Sequence, residues 1–310
     1  MKTIRSLFSR IFWPRLGATG IALGAAIFAG PSFGQVDLGG SWAGITHEDA
    51  TDRGNGPLPV DYLGLALNED GRAKALSYSI SQLSMIERQC VYYPPNYHVM
   101  GPFGFRMIPE TEPLNGNTIA WNISGTNDRA PMTVWMDGRS HPPKEAPHPV
   151  AGFTTGKWEG DVLVTYTTHI KAGMHRRNGA PLSDQATITT RFIRHGDLLT
   201  MVMRVDDPPY LTEADVISRN YRWSLNAMRF VDTPCVSGEE GTHPEGVVPH
   251  FLPGRNPFVD ELTTRFHIPV EATLGGAASM YPEFRKKMKD IYTMPPPVGT
   301  PPGRGADPNR

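Results

Sequence analysis

From residue 105 to residue 224 apolar and polar positions largely alternate with a period of two, as in strands that bury one face. Ile119, Trp121 and Ile123 share one face after the turn signal Asn115-Gly116-Asn117. Met132, Val134 and Met136 form another face, ended by Asp137-Gly138. The stretch 152–206 is the most regular. A strand from Phe153 to Trp158 turns at Glu159-Gly160-Asp161, and Val162, Val164, Tyr166 and Ile170 make the apolar face of the return strand. After an Asn178-Gly179 turn region, Ala186 to Arg194 alternates through Ile188, Thr190 and Phe192. His195-Gly196-Asp197 then turns into a strand with Leu199, Met201, Met203 and Val205 on one side. Residues 214–224 add a strand with Ile217, Tyr221 and Trp223. Roughly eight or nine strands in series must hide their edges. The expected fold is therefore mostly β: an antiparallel meander closed as a lipocalin-like barrel, with a β-sandwich as the alternative.

Helical spacing occurs at two places. Residues 68–89 read as a helical insertion, with Asn68 as cap, Glu69 and Asp70 at its positive end, and Ala73, Leu76, Ile80 and Leu83 as its apolar stripe. Residues 279–293 read as a C-terminal helix begun by Ser279, with Phe284, Met288 and Ile291. Between the meander and this helix, 225–278 reads as an irregular wrap, and the Pro/Gly-rich tail 294–310 as disordered.

The N-terminus changes where this barrel is expected to work. Lys2, Arg5, Arg10 and Arg15 precede an apolar run from Leu16 to Gly30, and Ser32 and Gly34 put small residues at the positions a signal peptidase reads. The run is shorter than the roughly 20 residues a spanning helix needs. Residues 1–34 are thus expected to be a cleaved signal and 35–293 a single periplasmic or secreted domain, without stable membrane insertion. In an oxidising compartment Cys90 and Cys235 are expected to pair. Such a bond closes a loop of about 145 residues and stabilises by about 4–5 kcal/mol in the loop-entropy picture.

Composition removes several function classes. The formal net charge is -1 and Lys and Arg are scattered, which argues against nucleic acid as a partner. No Gly-x-Gly-x-x-Gly or His-Glu-x-x-His pattern occurs, and the Gly-x-Ser-x-Gly stretch Gly30–Gly34 falls inside the expected signal, so nucleotide, flavin, serine-elbow and sequence-local metal chemistry are disfavoured and no cofactor is expected. Histidine is the remaining acid/base resource near neutral pH. His141 lies beside Arg139 in a loop leaving a strand, and His169 lies on the strand face shared with Leu163, Thr165 and Thr167, which is either solvent-exposed or the lining of a polar interior. These two are the candidate bases, with Arg139 or Arg191 to stabilise negative charge. His148 and His195 read as loop and turn residues, and Asp161 and Asp197 as turn formers. Trp121, Trp135, Tyr166, Phe192, Tyr221 and Trp223 lie on expected strands, with Tyr210 at the strand end after Asp206-Asp207-Pro208-Pro209. These are the candidate lining of a cavity for an apolar or aromatic small molecule.

Gly40-Ser41-Trp42 resembles the Gly-x-Trp mark at the first strand of lipocalin-like barrels, where the Trp closes one end. More widely, Trp158-Glu159-Gly160-Asp161, Arg177-Asn178-Gly179, His141-Pro142 and Asp206-Asp207-Pro208 resemble a family of secreted bacterial proteins that share a Trp-Glu-Gly-Asp hairpin. Phe251-Leu252-Pro253-Gly254 and Met280-Tyr281-Pro282-Glu283 look like one branch of it. The resemblance spans about residues 36–290 and implies a fold rather than an activity. Where members carry His-Thr-Glu after the Asn-Gly-like turn, this chain has Leu182-Ser183-Asp184, so no role of that His carries over. The expected function is a periplasmic binder of an apolar or aromatic small molecule. A cofactor-independent acid/base enzyme (lyase, hydratase or hydrolase) and an envelope structural or interaction protein are the alternatives.

Overall fold

Two Gly-Asp loops show how the strands are connected. In a computed structural model, Gly160 and Gly196 have φ of 61° and 60°, and each begins a two-residue link between paired strands. Positive φ at the first central position is the II′ hairpin requirement, which glycine meets without strain. The structure describes residues 36–45, 58–62, 64–79, 89–101, 104–125, 130–225, 237, 247 and 249–288. The expected signal, residues 1–34, the expected tail 294–310 and Cys235 lie outside the described residues, as do 80–88 of the expected helical insertion and most of 226–248.

Nine strands close a barrel: β1 (Gly40–Gly44), β2 (Phe105–Thr111), β3 (Thr118–Ser124), β4 (Met132–Trp135), β5 (Phe153–Glu159), β6 (Val162–Thr168), β9 (Thr187–His195), β10 (Leu198–Asp206) and β11 (Asp215–Trp223). β1 pairs with both β11 and β2, through Trp42 opposite Trp223 and opposite Phe105. A short hairpin, β7 (Gly173–Met174) with β8 (Pro181–Leu182), stands outside this ring. The barrel is mixed, because β4 and β5 run parallel, Val134 opposite Thr154. A parallel pair needs a crossover of about a dozen residues or more, and 136–152 supplies it.

The inward faces on β3, β9, β10 and β11 match the alternation. Trp121, Ile123, Ile188, Phe192, Leu199, Met201, Met203, Val205 and Tyr221 are all buried in one core with Trp42, Phe105 and Met107. On β6 the side left open is settled: Leu163, Thr165 and Thr167 face inward. Tyr166, expected on the apolar face, is instead 43% exposed on the outside.

The helices depart further from the pattern. α1 (Glu69–Leu76) is capped by Asn68 as expected, its Oδ1 accepting from Gly71 N at 2.8 Å. Its buried side is Gly71 and Ala75, with the expected Leu76 packed partly buried against the same core and Ala73 exposed. The helix lies against the Tyr210 carbonyl, and a Cβ at Gly71 would stand 2.5 Å from that oxygen, so only glycine allows the approach. Before the first long strand, Tyr97–Met100 forms one helical turn, α2, buried at all four residues. Within the expected irregular wrap, Phe258–Phe266 forms α3. There Asn256 Oδ1 accepts from Phe258 N at 3.0 Å, and Leu262 joins a second small core with Leu65, Leu67 and Ala75. α4 (Val270–Thr273) and a 3-10 turn, Gly276–Met280, lead to α5 (Pro282–Met288). The C-terminal helix therefore starts at Pro282, after Ser279 has used its hydroxyl on the Gly276 carbonyl.

Candidate functional site

The barrel interior is occupied by its own side chains. Trp42 is fully buried, with its indole N–H donating to Leu38 O at 3.0 Å. Arg194 lies over its ring, 5.3 Å from the centroid. Around α2, Tyr221 Oη donates to His98 O at 2.6 Å, and Arg219, fully buried on the inward face of β11, donates to the Gly101 carbonyl. Between α2 and the strands, an enclosed space of about 10 Å³ is lined by His98, Thr165, Thr167, Thr190, Phe192 and Met201 among others. That is room for about one water. Trp121, Phe192 and Tyr221 therefore act as core, and Trp223 packs on that core from the rim. Expected as the lining of an aromatic ligand's seat, these rings are buried against one another among the described residues. His98, which sequence reasoning passed over, joins this interior because the Pro94–Tyr97 turn starts a helix there. Asn96 following Pro94-Pro95 is the signal that was available.

Outside the barrel the crossover 136–152 gathers histidines against β5 and β6. His141 Nδ1 lies 2.7 Å from Thr168 Oγ1 and its Nε2 lies 2.9 Å from Thr155 Oγ1. His169 Nδ1 lies 2.7 Å from the same Thr168 hydroxyl, and its Nε2 lies 2.9 Å from Pro143 O. His148 stacks obliquely on His169, ring centroids 5.1 Å apart, and holds Ile170 O at 3.2 Å. His169 was expected on the Leu163/Thr165/Thr167 face. It sits just past the strand end in the left-handed region, φ 55°, and its ring joins Thr168 instead. Positive φ in a residue other than glycine costs of order 1 kcal/mol or more and collects at functional sites. Burial, and secondarily the neighbouring His169, hold His141 below the ordinary imidazole range. Phe153 and Tyr166 flank the His141 ring at 5.1 and 5.2 Å.

The two arginines expected to serve a base are placed differently. Arg139 lies at the same crossover but is committed: its guanidinium sits 3.5 Å from the Trp135 ring centroid and bonds both oxygens of Asp137. That pairing, chiefly the hydrogen bond, lowers the Asp137 carboxyl to about 2. Arg191 is corrected as a partner of His141. It pairs with Glu159 at 3.0 Å, at the other end of β5 from Thr155, about 13 Å along the strand. Trp135 is thus a platform for Arg139, not a cavity wall. Tyr210 is a turn residue whose carbonyl accepts from Asn68 N at 2.9 Å. His195 is exposed at its turn.

A second recess lies between α1, the β7–β8 hairpin and residues 249–250. It is an open groove of about 370 Å³ whose lining includes Lys74, Tyr78, Val91, Met174, Pro181 and His250. The hairpin wall is anchored from beneath. His175 N–H donates to Ala180 O at 2.7 Å, His175 Nε2 lies 2.7 Å from Asp215 Oδ2, and Arg176 donates to Tyr62 O at 2.6 Å. Burial pushes the Asp215 carboxyl up, but the His175 hydrogen bond and the charges of His175 and Arg176 outweigh it, leaving its pKa below the usual value. Among the described residues no group of His, Cys, Asp and Glu is arranged to hold a metal ion, and no helix is long and apolar enough to cross a membrane. Comparison with known protein families, curated proteins and solved structures finds no match for this chain.

Proposed function

We propose that this chain is an exported β-barrel protein that binds a small aromatic or apolar molecule bearing an acidic group. The observation that carries the reading is the groove of about 370 Å³ beside α1, within the range of small-molecule sites. The seat is outside the barrel, not inside it. Tyr78, Val91, Met174 and Pro181 offer an apolar bed. Lys74 at the rim offers one positive charge, and the buried anchoring of the hairpin by Asp215 keeps the bed in place before the ligand arrives, which lowers the cost of ordering it on binding.

The test is isothermal titration of the full chain with 4-hydroxybenzoate and, as its uncharged counterpart, 4-hydroxybenzyl alcohol. The expected result is saturable binding with the carboxylate ahead of the alcohol. Ala172→Trp places an indole in the groove from an exposed position and is expected to abolish binding with the fold intact, while Lys74→Ala removes the preference for the acid. Binding that survives Ala172→Trp refutes the assignment.

A further inference from the structure

We propose that His141 is the general base of a hydrolytic site on the outer face of the barrel, acting on a small uncharged aromatic ester, with Thr168 and His169 carrying the proton it takes. This site is separate from the groove and does not depend on a ligand being bound there.

The hydrogen-bond geometry fixes a direction along the chain of groups. The Pro143 carbonyl can only accept, so His169 Nε2, 2.9 Å away, carries the hydrogen. In a neutral ring the other nitrogen then accepts, and Thr168 donates its hydroxyl proton to His169 Nδ1 at 2.7 Å. A hydroxyl has one proton, so Thr168 Oγ1 accepts from His141, and His141 Nδ1 is the protonated nitrogen. His141 Nε2 is left with its lone pair directed at the Thr155 hydroxyl, 2.9 Å away. Each role follows from the last, and the result is a base nitrogen at the open end backed by a path for its proton. Burial keeps His141 unprotonated at neutral pH.

The surroundings select the chemistry. Phe153 and the half-exposed Tyr166 make an aromatic wall on either side of His141, which suits an aryl group. Arg139 spends its charge on Asp137 and Trp135, so the site favours taking a proton from water over forming a carbanion. In the reaction, a water displaces the Thr155 hydroxyl from Nε2. Its oxygen forms a bond to the ester carbonyl carbon as His141 Nε2 takes its proton, and the carbonyl π pair moves to oxygen, where the Thr155 hydroxyl donates. The Nδ1 proton passes to Thr168 and the Thr168 proton to His169 Nδ1, which leaves His169 cationic and His141 neutral. Collapse of the intermediate breaks the bond to the aryloxide, and the proton returns by the same path to that leaving group. The carboxylic acid and the phenol are the only products.

Side-chain nitrogen NMR of the full wild-type chain at neutral pH is expected to show His141 protonated at Nδ1 and His169 at Nε2. With p-nitrophenyl acetate as probe, His141→Ala is expected to lose at least about tenfold in kcat/KM, the lower reach of a positioned base. His195→Ala, at an exposed turn away from the site, is expected to keep the wild-type rate. Thr168→Val is expected to fall toward His141→Ala and to shift the pH at which the rate rises, and Thr168→Ser to recover most of both. His141 protonated at Nε2, or an unchanged rate in His141→Ala, overturns the proposal. Thr168→Val that matches wild type in rate and pH profile overturns the relay. The tautomer measurement needs no variant and decides the matter if one fails to fold.

Discussion

The inward parity of β6 can be tested on a single pair of hydroxyls. Thr154 and Thr167 are opposite each other on β5 and β6, both buried, with their Oγ1 atoms 2.8 Å apart. Thr154→Val deletes one partner and leaves the Thr167 hydroxyl in the core without the other. An orphaned buried hydroxyl costs about 1–3 kcal/mol, offset by roughly 0.8 kcal/mol for the methyl that replaces it. Either single variant should therefore be destabilised by about 1–2 kcal/mol, a fall in melting temperature of about 2–6 °C for a domain of this size. The double Val variant removes both polar groups without changing the shape of the pair, and should return to within about 0.5 kcal/mol of wild type. The coupling energy is thus about 2–4 kcal/mol, opposite in sign to the sum of the singles. Urea or thermal unfolding of the four proteins measures it. If the singles are neutral and the effects simply add, the Thr face looks outward and the barrel as described is wrong on β5 and β6.

Two further outcomes follow from ionisation and export. As pH falls, the unfolded chain binds a proton at His141 before the folded chain does, since the folded value lies below 6.5. The corresponding stability is complete above that value and lost as pH drops through the folded one, so melting temperature should decline as pH falls below 6.5, and the decline should flatten in His141→Gln. Asp215, also depressed in the fold, contributes fully above 3.8 and fades only in a second, more acidic phase, which His175→Gln should weaken. Protein recovered from the periplasm should begin at Gln35, and non-reducing peptide mapping should find one Cys90–Cys235 crosslinked peptide; a chain beginning at Met1 or two free thiols would refute the respective expectation.

The sequence revealed most where one rule acted alone. Ile188, Thr190 and Phe192, or Leu199, Met201 and Met203, alternate against an inward face that is apolar or small, and period and burial agree. On β6 they compete: Val162, Val164 and Tyr166 are the more apolar set, yet Leu163, Thr165 and Thr167 go inside. The Thr hydroxyls there are paid off locally, Thr167 by Thr154 and Thr165 by the Thr190 carbonyl, a cancellation that hydrophobicity along one strand cannot register. His169 was misplaced for a different reason. Strand parity holds only while φ stays negative, and a histidine in the left-handed region leaves no mark in the residue order. The parallel β4–β5 pair was equally hidden, since 136–152 reads as an ordinary Pro-rich loop until its two ends are seen to run the same way.

The space between α2 and the strands admits about one water, and the packed rings around it support the outer face. The His141 cluster and the groove both lie where consecutive strands fail to pair as simple hairpins. The crossover between β4 and β5 brings His141 to Thr155 and Thr168. The excursion between β6 and β9, which are themselves neighbours in the sheet, carries the β7–β8 hairpin out to wall the groove. Each excursion is tied down by buried or half-buried polar groups, His169 to Pro143 in one and His175 to Asp215 in the other, rather than by apolar packing alone. Polar ties of this kind are directional, and they hold side chains in one orientation on a support that does not move. The two tethering histidines are accordingly the residues whose replacement should separate function from fold: each variant should retain the barrel while its own recess loses shape.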